Sequence, residues 1–409
     1  MIFKTFYDYG NSRLLGDYLR GMERREAYIA FNLLPEIGPA RLKNLLEYIP
    51  DPRDALGAPL EKLQVIPRLG PRAAQILHEW QKYCRLDLEL RRARQCNVLL
   101  VTWDDHTYPA ILREIHDPPI CLYVRGDLEA LQNSEHTIAM VGSRFTTAYG
   151  ESVAKKLATS AARGGWTVVS GLARGIDTIC HRSVVEAGGR TVAVLGSGLD
   201  RLYPAENVGL CRAIIEKHGA VISEFPLGTS PDRQNFPQRN RIIAGLARGT
   251  IVVEAGVKSG SLITAGLANE QGRTVFAVPG RIDSPQMQGC HALLKDGARL
   301  VESFQDVLDE FSMLPSLPET RRSREAAEQE ERLSTTPIPL PSNEFQLWQA
   351  IGPSETGIDD LVAELQAPVG AVLSALLSLE IKQLITQLPG KRVRRLPNRQ
   401  AILQSANGE

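Results

Sequence analysis

The sequence has no pair of cysteines at the short spacing that zinc sites and disulfide frameworks use. Its six cysteines are widely scattered, and no histidine cluster accompanies them, so we expect neither a bound metal nor a disulfide scaffold. Reduced thiols suit a cytoplasmic location. The cysteines are Cys84, Cys96, Cys121, Cys180, Cys211 and Cys290.

Long apolar runs are also absent from the sequence. The first thirty residues carry charged side chains from Lys4 to Glu26 and no apolar segment of the kind found in signal peptides. No uninterrupted apolar run reaches the length that a membrane-spanning helix needs. Neither secretion nor membrane insertion is therefore expected.

Neither charge is in excess, because the sequence has 47 basic and 47 acidic residues. This balance neither requires nor excludes a polyanionic partner, so whether the chain binds one depends on where its cations lie. A chain of 409 residues is longer than a single hydrophobic core usually accommodates, so several domains are expected. We divide the chain into a helical domain (1–97), an α/β domain (98–311), a flexible linker (312–341) and a terminal domain (342–401).

The helical region contains two similar Gly-Pro turns, at Gly38-Pro39 and at Gly70-Pro71. Each would begin a helix, where proline is tolerated and free N–H groups point outward. This arrangement resembles a pair of helix-hairpin-helix units, which places Arg41 and Arg72 as secondary nucleic-acid contacts. A small helical packing domain that uses Gly-Pro only as a tight turn explains the pattern equally well.

The central region alternates apolar, β-rich runs with helical patterns. Continuous Val/Ile runs separated by amphipathic helices are typical of a parallel sheet that is covered on both faces. The predicted fold is therefore α/β, with an extended Rossmann-like parallel sheet. The predicted strands are 136–142, 167–171, 191–196, 220–225, 250–255 and 274–279, and the predicted helices are 148–164, 176–187, 207–218, 241–246 and 262–271.

The glycine-rich motifs of common nucleotide cofactors are incomplete or missing. Gly196-Ser197-Gly198 follows a strand but lacks the third glycine of the dinucleotide fingerprint, and no P-loop is present. We therefore expect no cofactor.

Instead, several turns at the predicted carboxyl edge of the sheet combine glycine, hydroxyl and basic residues. Backbone at glycine approaches a ligand closely, helix starts attract anions, and arginine makes charge-assisted bonds to phosphate. We interpret this edge as a surface that holds a nucleic-acid backbone. The predicted contacts are Gly142, Ser143, Arg144, Ser170, Gly171, Arg174, Arg233, Arg239, Asn240, Arg241, Lys258, Ser259, Gly260 and Ser261.

Catalytic and stacking roles are weighed for a few residues of the same region. Asp177 and His181 lie four apart on one predicted helix face, and Ser170 is a conceivable nucleophile. A turn hydroxyl is an equally natural role for Ser170, and we favour a helix-start carboxylate bonded to histidine over catalysis. Few aromatic residues lie near the basic turns. The stacking candidates are Phe145, Tyr149 and Phe236, and Phe236 suits a core position as well.

Ordered motifs between Ile120 and Val301 closely resemble the DprA/Smf family of DNA-processing proteins. The matching segments are Val-Gly-Ser-Arg (141–144), Ser-Gly-Leu-Ala-Arg-Gly-Ile-Asp (170–177) with His181, Ser-Glu-Phe-Pro (223–226), Phe-Pro-Gln-Arg-Asn-Arg-Ile-Ile-Ala-Gly-Leu (236–246), Val-Glu-Ala (253–255), Ser-Gly-Ser-Leu-Ile-Thr-Ala (259–265) and Ala-Val-Pro-Gly (277–280).

This resemblance implies an extended Rossmann fold, single-stranded DNA binding, a homodimer, and loading of the RecA recombinase during natural transformation. SSB, which coats such strands, is a further candidate partner. The family's DNA-contacting arginine corresponds to Arg144, and the basic residue before Phe-Pro corresponds to Arg233, where some relatives have lysine. Arginine keeps the charge but changes the contact geometry.

The carboxyl-terminal region predicts a winged helix after the linker. Three helical patterns (345–350, 358–365 and 369–379) precede two strands (384–388 and 393–396) around Pro389-Gly390. The basic wing, with Arg392 and Arg394, suits either phosphate contacts or a protein-contact module. Many relatives carry a similar domain, but the turn before the wing often has glycine where this chain has Gln383.

An enzyme acting on a nucleotide or a phosphorylated sugar is the alternative function, because related sheets hold a monophosphate in similar turns. The nucleotide hydrolases that we compare continue Pro-Gly-Gly-x-Gly-Thr, whereas this chain has Pro279-Gly280-Arg281. We favour a binding protein without catalysis.

Overall fold

The computed structural model describes residues 21–132, 134–313, 338–352, 356–382, 384–388, 392–395 and 401–403. The chain divides into two compact units, Met1–Met313 and Leu314–Glu409. Most of the predicted linker, together with Gln383, Pro389 and Gly390, lies outside the described residues.

Short helices form the first part of the larger unit. Pro39 and Pro71 each occupy a first helical position after a glycine, as the sequence predicts. Phe31 and Leu77 of these helices share one hydrophobic cluster with Leu195 and Val221 of the sheet. The helices are α1 Arg24–Leu33, α2 Pro39–Tyr48, α3 Pro52–Leu56, α4 Leu60–Gln64, α5 Pro71–His78, α6 Trp80–Tyr83 and α7 Leu86–Gln95.

A nine-stranded sheet in the order β1-β2-β6-β5-β4-β3-β7-β8-β9 forms the centre of this unit. The pairings from β6 to β9 are parallel, which confirms the predicted Rossmann-like architecture. The strands are β1 Leu99–Thr102, β2 Cys121–Gly126, β3 Thr137–Val141, β4 Thr167–Ser170, β5 Thr191–Leu195, β6 Ala220–Ser223, β7 Gly249–Val252, β8 Thr274–Ala277 and β9 Arg299–Leu300.

Strand β2 was not predicted, because residues 108–124 look like a linking segment in the sequence. The structure places Cys121–Gly126 antiparallel to both β1 and β6. The two prolines of Asp117-Pro118-Pro119 end just before this strand, so they break a helix without preventing strand pairing.

Helices cover both faces of the sheet, and their apolar sides join its core. They are α8 Ala110–Arg113, α9 Ala148–Arg163, α10 Ile176–Glu186, α11 Val208–Glu216, α12 Asn235–Gly245, α13 Gly260–Glu270, α14 Gln288–Lys295 and α15 Phe304–Met313.

Helix α12 begins at Asn235, six residues before the predicted start at Arg241. Pro237 lies in the first turn of this helix. A proline in the first helical turn costs no hydrogen bond, because the N–H groups there lack intrahelical acceptors. The earlier start turns Arg239 and Arg241 into helical residues, and both are buried.

The smaller unit is the predicted winged helix. Helices α16 Ser342–Ala350, α17 Ile358–Leu365 and α18 Val369–Ile381 pack beside a three-stranded sheet. Its strands are β11 Thr356–Gly357, β12 Ile385–Leu388 and β13 Arg392–Arg395, and a separate parallel pair joins β10 Ile338–Leu340 to β14 Ala401–Leu403.

Across the described ranges, no single helix has the length and apolar composition to cross a membrane. The bent pair Ile358–Leu365 and Val369–Glu380, at 117°, meets that test only when its two helices are taken together.

Candidate nucleic-acid interface

The turn that follows β3 is held between two neighbouring turns of the carboxyl edge. Ser143 N donates to Glu254 O at 2.7 Å, and Ile176 N donates to Ser143 O at 3.1 Å. Gly142 lies against Ile176, where a Cβ atom would come within 2.6 Å of that side chain. The backbone that carries Arg144 is thus fixed on both sides.

Arg144 extends from this turn onto an aromatic surface. Its guanidinium lies 5.5 Å from the ring centre of Phe236, at the start of α12. The side chain is exposed and has no ion-pair partner within the described residues. Tyr203, which the sequence analysis did not select, lies 5.8 Å from Phe236 and is 43% exposed. A free cation and two aromatic rings therefore share one surface.

The start of α9 is occupied by a carboxylate of the protein itself, that of Glu254. Thr147 N lies 3.1 Å from Glu254 Oε2, and the Thr147 hydroxyl donates to the same oxygen at 3.2 Å. Glu254 is fully buried, and a Cβ atom on Gly150 would lie 1.8 Å from its carboxylate. The predicted attraction of a ligand anion by this helix start is wrong, because Glu254 fills that place.

The turn after β4 is filled in the same way. Asp177 accepts hydrogen bonds from Gly171 N at 3.0 Å and from Ala173 N at 3.4 Å. Gly171 is buried, so the prediction that its backbone contacts a ligand is wrong. Burial raises the pKa of Asp177, whereas the charge of Arg239 and the two amides lower it.

Arg239 supports this turn from inside the protein. Its side chain is only 3% exposed, and Nη1 donates to Gly171 O at 2.6 Å and to Val194 O. Burial lowers the pKa of this guanidinium to about 10, although Asp177 raises it. The predicted role of Arg239 as a phosphate contact is therefore wrong.

Two other predicted cations have carboxylate partners. Arg241 is buried and pairs with Asp117 at 3.0 Å and with Glu224, so it is not a surface contact either. Arg174 is exposed but binds Glu206 through two nitrogens, with Nη2 to Oε2 at 3.0 Å. A phosphate would have to displace Glu206 to reach Arg174.

The residues considered for catalysis are buried and engaged with the fold. Ser170 donates to Met140 O at 2.6 Å and is fully buried, which excludes its predicted ligand contact. His181 Nδ1 lies 2.7 Å from the Thr191 hydroxyl, which itself donates to Val168 O, so we assign the proton to Nδ1. Asp177 and His181 do not hydrogen bond to each other, contrary to the arrangement considered for catalysis.

Lowering the pH is expected to destabilise the fold through His181. Burial lowers the pKa of this imidazole from 6.5 to about 3, so the native state keeps it neutral. The contribution of the neutral imidazole to the free energy of unfolding is complete above pH 6.5. It is lost as the pH falls towards 3, by up to about 1.4 kcal/mol per pH unit. Urea denaturation at pH 7.5 and at pH 5.0 measures the decrease in the free energy of unfolding between the two pH values. This decrease should be smaller for His181→Asn than for the wild type. Equal losses would contradict this.

The remaining predicted contacts differ in exposure. Arg233 and Lys258 are exposed, and neither has an ion-pair partner in the described part of the chain. Ser259 caps α13 by accepting from Ser261 N, and Ser261 is buried, which excludes it from a ligand contact. Arg201, which was not among the predicted contacts, is exposed in the turn after β5. Asn240 is partly exposed and Gly260 is exposed, and both stay predictions.

The four predicted secondary contacts belong to elements other than the strands and turns described above. Arg41 and Arg72 share one carboxylate, that of Glu36, at 3.2 and 3.5 Å. Arg392 and Arg394 are exposed on β13 of the smaller unit. None of these four is tested as a DNA contact by its geometry, and each stays a prediction.

Two family models match this chain. One, described as DNA recombination-mediator protein A, covers residues 99–312, and the other, described as DprA winged helix domain, covers residues 331–391. The first spans the sheet and every turn described above.

Individual relatives extend the match over most of the chain. Protein Smf of Synechocystis sp. is 33% identical over 390 residues, which are 90% of this chain and 98% of the relative. DNA processing protein DprA of Streptococcus pneumoniae is 46% identical over 207 residues, 51% of this chain and 72% of the relative. The X-ray structure of that DprA aligns with a TM-score of 0.60 at 36% identity, covering 71% of this chain and 98% of the other.

Proposed function

Because the chain belongs to the DprA/Smf family of DNA-processing proteins, we propose that it binds single-stranded DNA along the carboxyl edge of its sheet and presents the strand to RecA. The binding surface consists of Arg144 and Phe236 at its centre, with Tyr203, Arg233 and Lys258 around them. It holds the strand without breaking a covalent bond.

The observation that carries this proposal is the position of Arg144 on Phe236. A guanidinium 5.5 Å above an aromatic ring, with no internal carboxylate to neutralise it, provides one phosphate contact beside one stacking surface. Single-stranded DNA offers both groups in alternation. This pairing favours a strand over an isolated phosphate.

Binding without catalysis agrees with the state of the candidate catalytic groups. Ser170 and His181 are fully buried, and Asp177 is occupied by backbone amides. Proton transfer to a substrate needs a group within hydrogen-bond reach of it. Ser170 bonds to β3, Asp177 bonds to the turn after β4, and His181 bonds to Thr191 at the start of β5.

The partners follow from the family rather than from a surface of this chain. We propose a homodimer that delivers the bound strand to RecA and competes with SSB for it. Two copies would double the number of phosphate contacts, which increases both affinity and salt dependence.

Replacing Arg144 with alanine is expected to weaken single-strand binding at every sequence. Losing one charge-assisted contact should cost about 10- to 100-fold in affinity and lower the salt slope by about 0.7. Fluorescence anisotropy with labelled oligothymidylate at several salt concentrations measures both. Arg163→Ala provides the matched control, because Arg163 is exposed in the last turn of α9, at the opposite end of that helix.

The same variant should nucleate RecA filaments more slowly on SSB-coated strands. Equal affinity and slope for Arg144→Ala and the wild type would remove Arg144 from the site. Normal DNA binding by the wild type without faster RecA nucleation would leave the binding proposal in place and remove the loading role.

A further inference from the structure

Three neighbouring loops of the carboxyl edge each expose an apolar side chain beside a basic one. Phe145 follows β3 and is 87% exposed, Val257 follows β7 and is 66% exposed, and Ile282 follows β8 and is 90% exposed. Their basic neighbours are Arg144, Lys258 and Arg281. Exposed apolar groups of this size normally mark a binding surface when several occur together.

These loops are adjacent because β3, β7 and β8 are neighbours in the sheet. Strands about 4.8 Å apart place the first and third loops about 10 Å from each other. At a rise of about 3.4 Å per stacked base, this distance corresponds to about three nucleotides.

Hydrogen bonds within the protein hold the first and third of these loops in place. Ser143 Oγ accepts from Phe145 N at 3.1 Å, which fixes the backbone of the first loop. The Tyr149 hydroxyl donates to Pro279 O at 2.7 Å and so joins α9 to the loop after β8. A surface that is already ordered loses little entropy when a ligand binds.

We propose that Phe145, Val257 and Ile282 form a base-contact surface on which about three nucleobases of the bound strand pack. Arg144 and Lys258 hold the phosphates on either side. This inference rests on the proposed function and extends it, because it gives the strand a path from Phe236 across β3, β7 and β8.

The unpaired cations beside the apolar side chains favour a nucleic-acid strand over a protein as the partner of this surface. Arg144 and Lys258 have no ion-pair partner among the residues described, whereas Arg281 binds Asp283 at 3.0 and 2.7 Å. A protein that covered the apolar groups would bury two unpaired cations unless it supplied matching carboxylates. A DNA strand brings one phosphate with each base.

Two substitutions at Phe145 test the surface in the full chain. Phe145→Ser should bind labelled oligothymidylate about 5- to 150-fold more weakly than the wild type, because one stacked base is lost. Its affinity for an abasic oligonucleotide of equal length should stay unchanged. Phe145→Trp should keep the affinity, and its added fluorescence should be quenched by oligothymidylate. Val65→Ser is the control, since Val65 is 77% exposed in the helical region.

The outcomes separate this inference from the function on which it rests. If Arg144→Ala weakens binding but Phe145→Ser and Ile282→Ser bind oligothymidylate like the wild type, the base-contact surface is wrong and the binding proposal stands. If the wild type does not bind single strands, both are wrong. A change only in the sedimentation of Phe145→Ser would assign the surface to contacts between copies and overturn the inference.

Discussion

Arg239→Met is expected to lower the free energy of unfolding by about 3–5 kcal/mol, because it leaves a buried carboxylate without its compensating charge. Methionine keeps much of the side-chain volume but donates no hydrogen bond. Gly171 O and Val194 O would lose their donor, and Asp177 would stay buried beside a neutral group. Urea denaturation at pH 7.5 measures the loss.

A double substitution separates charge from packing at this position. Asp177→Asn removes the uncompensated charge, so the double variant should be more stable than Arg239→Met alone. Arg163→Met, at an exposed arginine, should change stability by no more than about 0.5 kcal/mol. Unchanged stability of Arg239→Met, with strand binding lost, would instead identify Arg239 as a DNA contact.

Gly175→Ala is expected to separate the turn after β4 from the turn that carries Arg144. Gly175 has a φ of 76°, and a Cβ atom there would lie 2.2 Å from Ser143 O and 2.9 Å from the Arg144 backbone. Backbone strain and overpacking together should cost about 2–5 kcal/mol. Strand binding should weaken in the protein that stays folded, because Arg144 would move away from Phe236.

Gly188→Ala is the matched control for this clash. Gly188 has a φ of 73°, but a Cβ atom there meets nothing within 4 Å. Backbone strain alone should lower the free energy of unfolding of Gly188→Ala, by about 1–2 kcal/mol. The variant should bind single strands normally. Equal denaturation midpoints and equal binding for the two alanine variants would show that the close contact at Gly175 does not position Arg144.

The alternation of apolar runs and helical patterns was sufficient to predict the parallel sheet. Each predicted strand between residues 136 and 279 overlaps an observed one. The antiparallel strand β2 was missed because its pairing with β1 and β6 is long-range, and a proline pair precedes it. Local sequence does not show which distant strand completes an edge.

The positions of the side chains in the proposed interface could be predicted only in part, for a different physical reason. The Gly-Ser-Arg turn follows a strand directly, so its position at the carboxyl edge could be inferred. Whether an arginine faces solvent or a buried carboxylate depends on partners far away in the chain, as Arg239 beside Asp177 and Arg241 with Glu224 demonstrate. Tyr203 was missed because its proximity to Phe236 arises only when the loop after β5 meets the start of α12.

Under the proposed function, the internal carboxylate of Glu254 affects which size of ligand this edge would favour. Amide groups at a helix start would grip a single phosphate, so a free mononucleotide would compete well with a polymer. With that place taken by Glu254, attraction depends on arginine and lysine side chains spread over several loops. One such contact alone gives a low affinity, so a ligand binds well only by making several. Nucleotides in the cell should therefore leave the surface open to long strands.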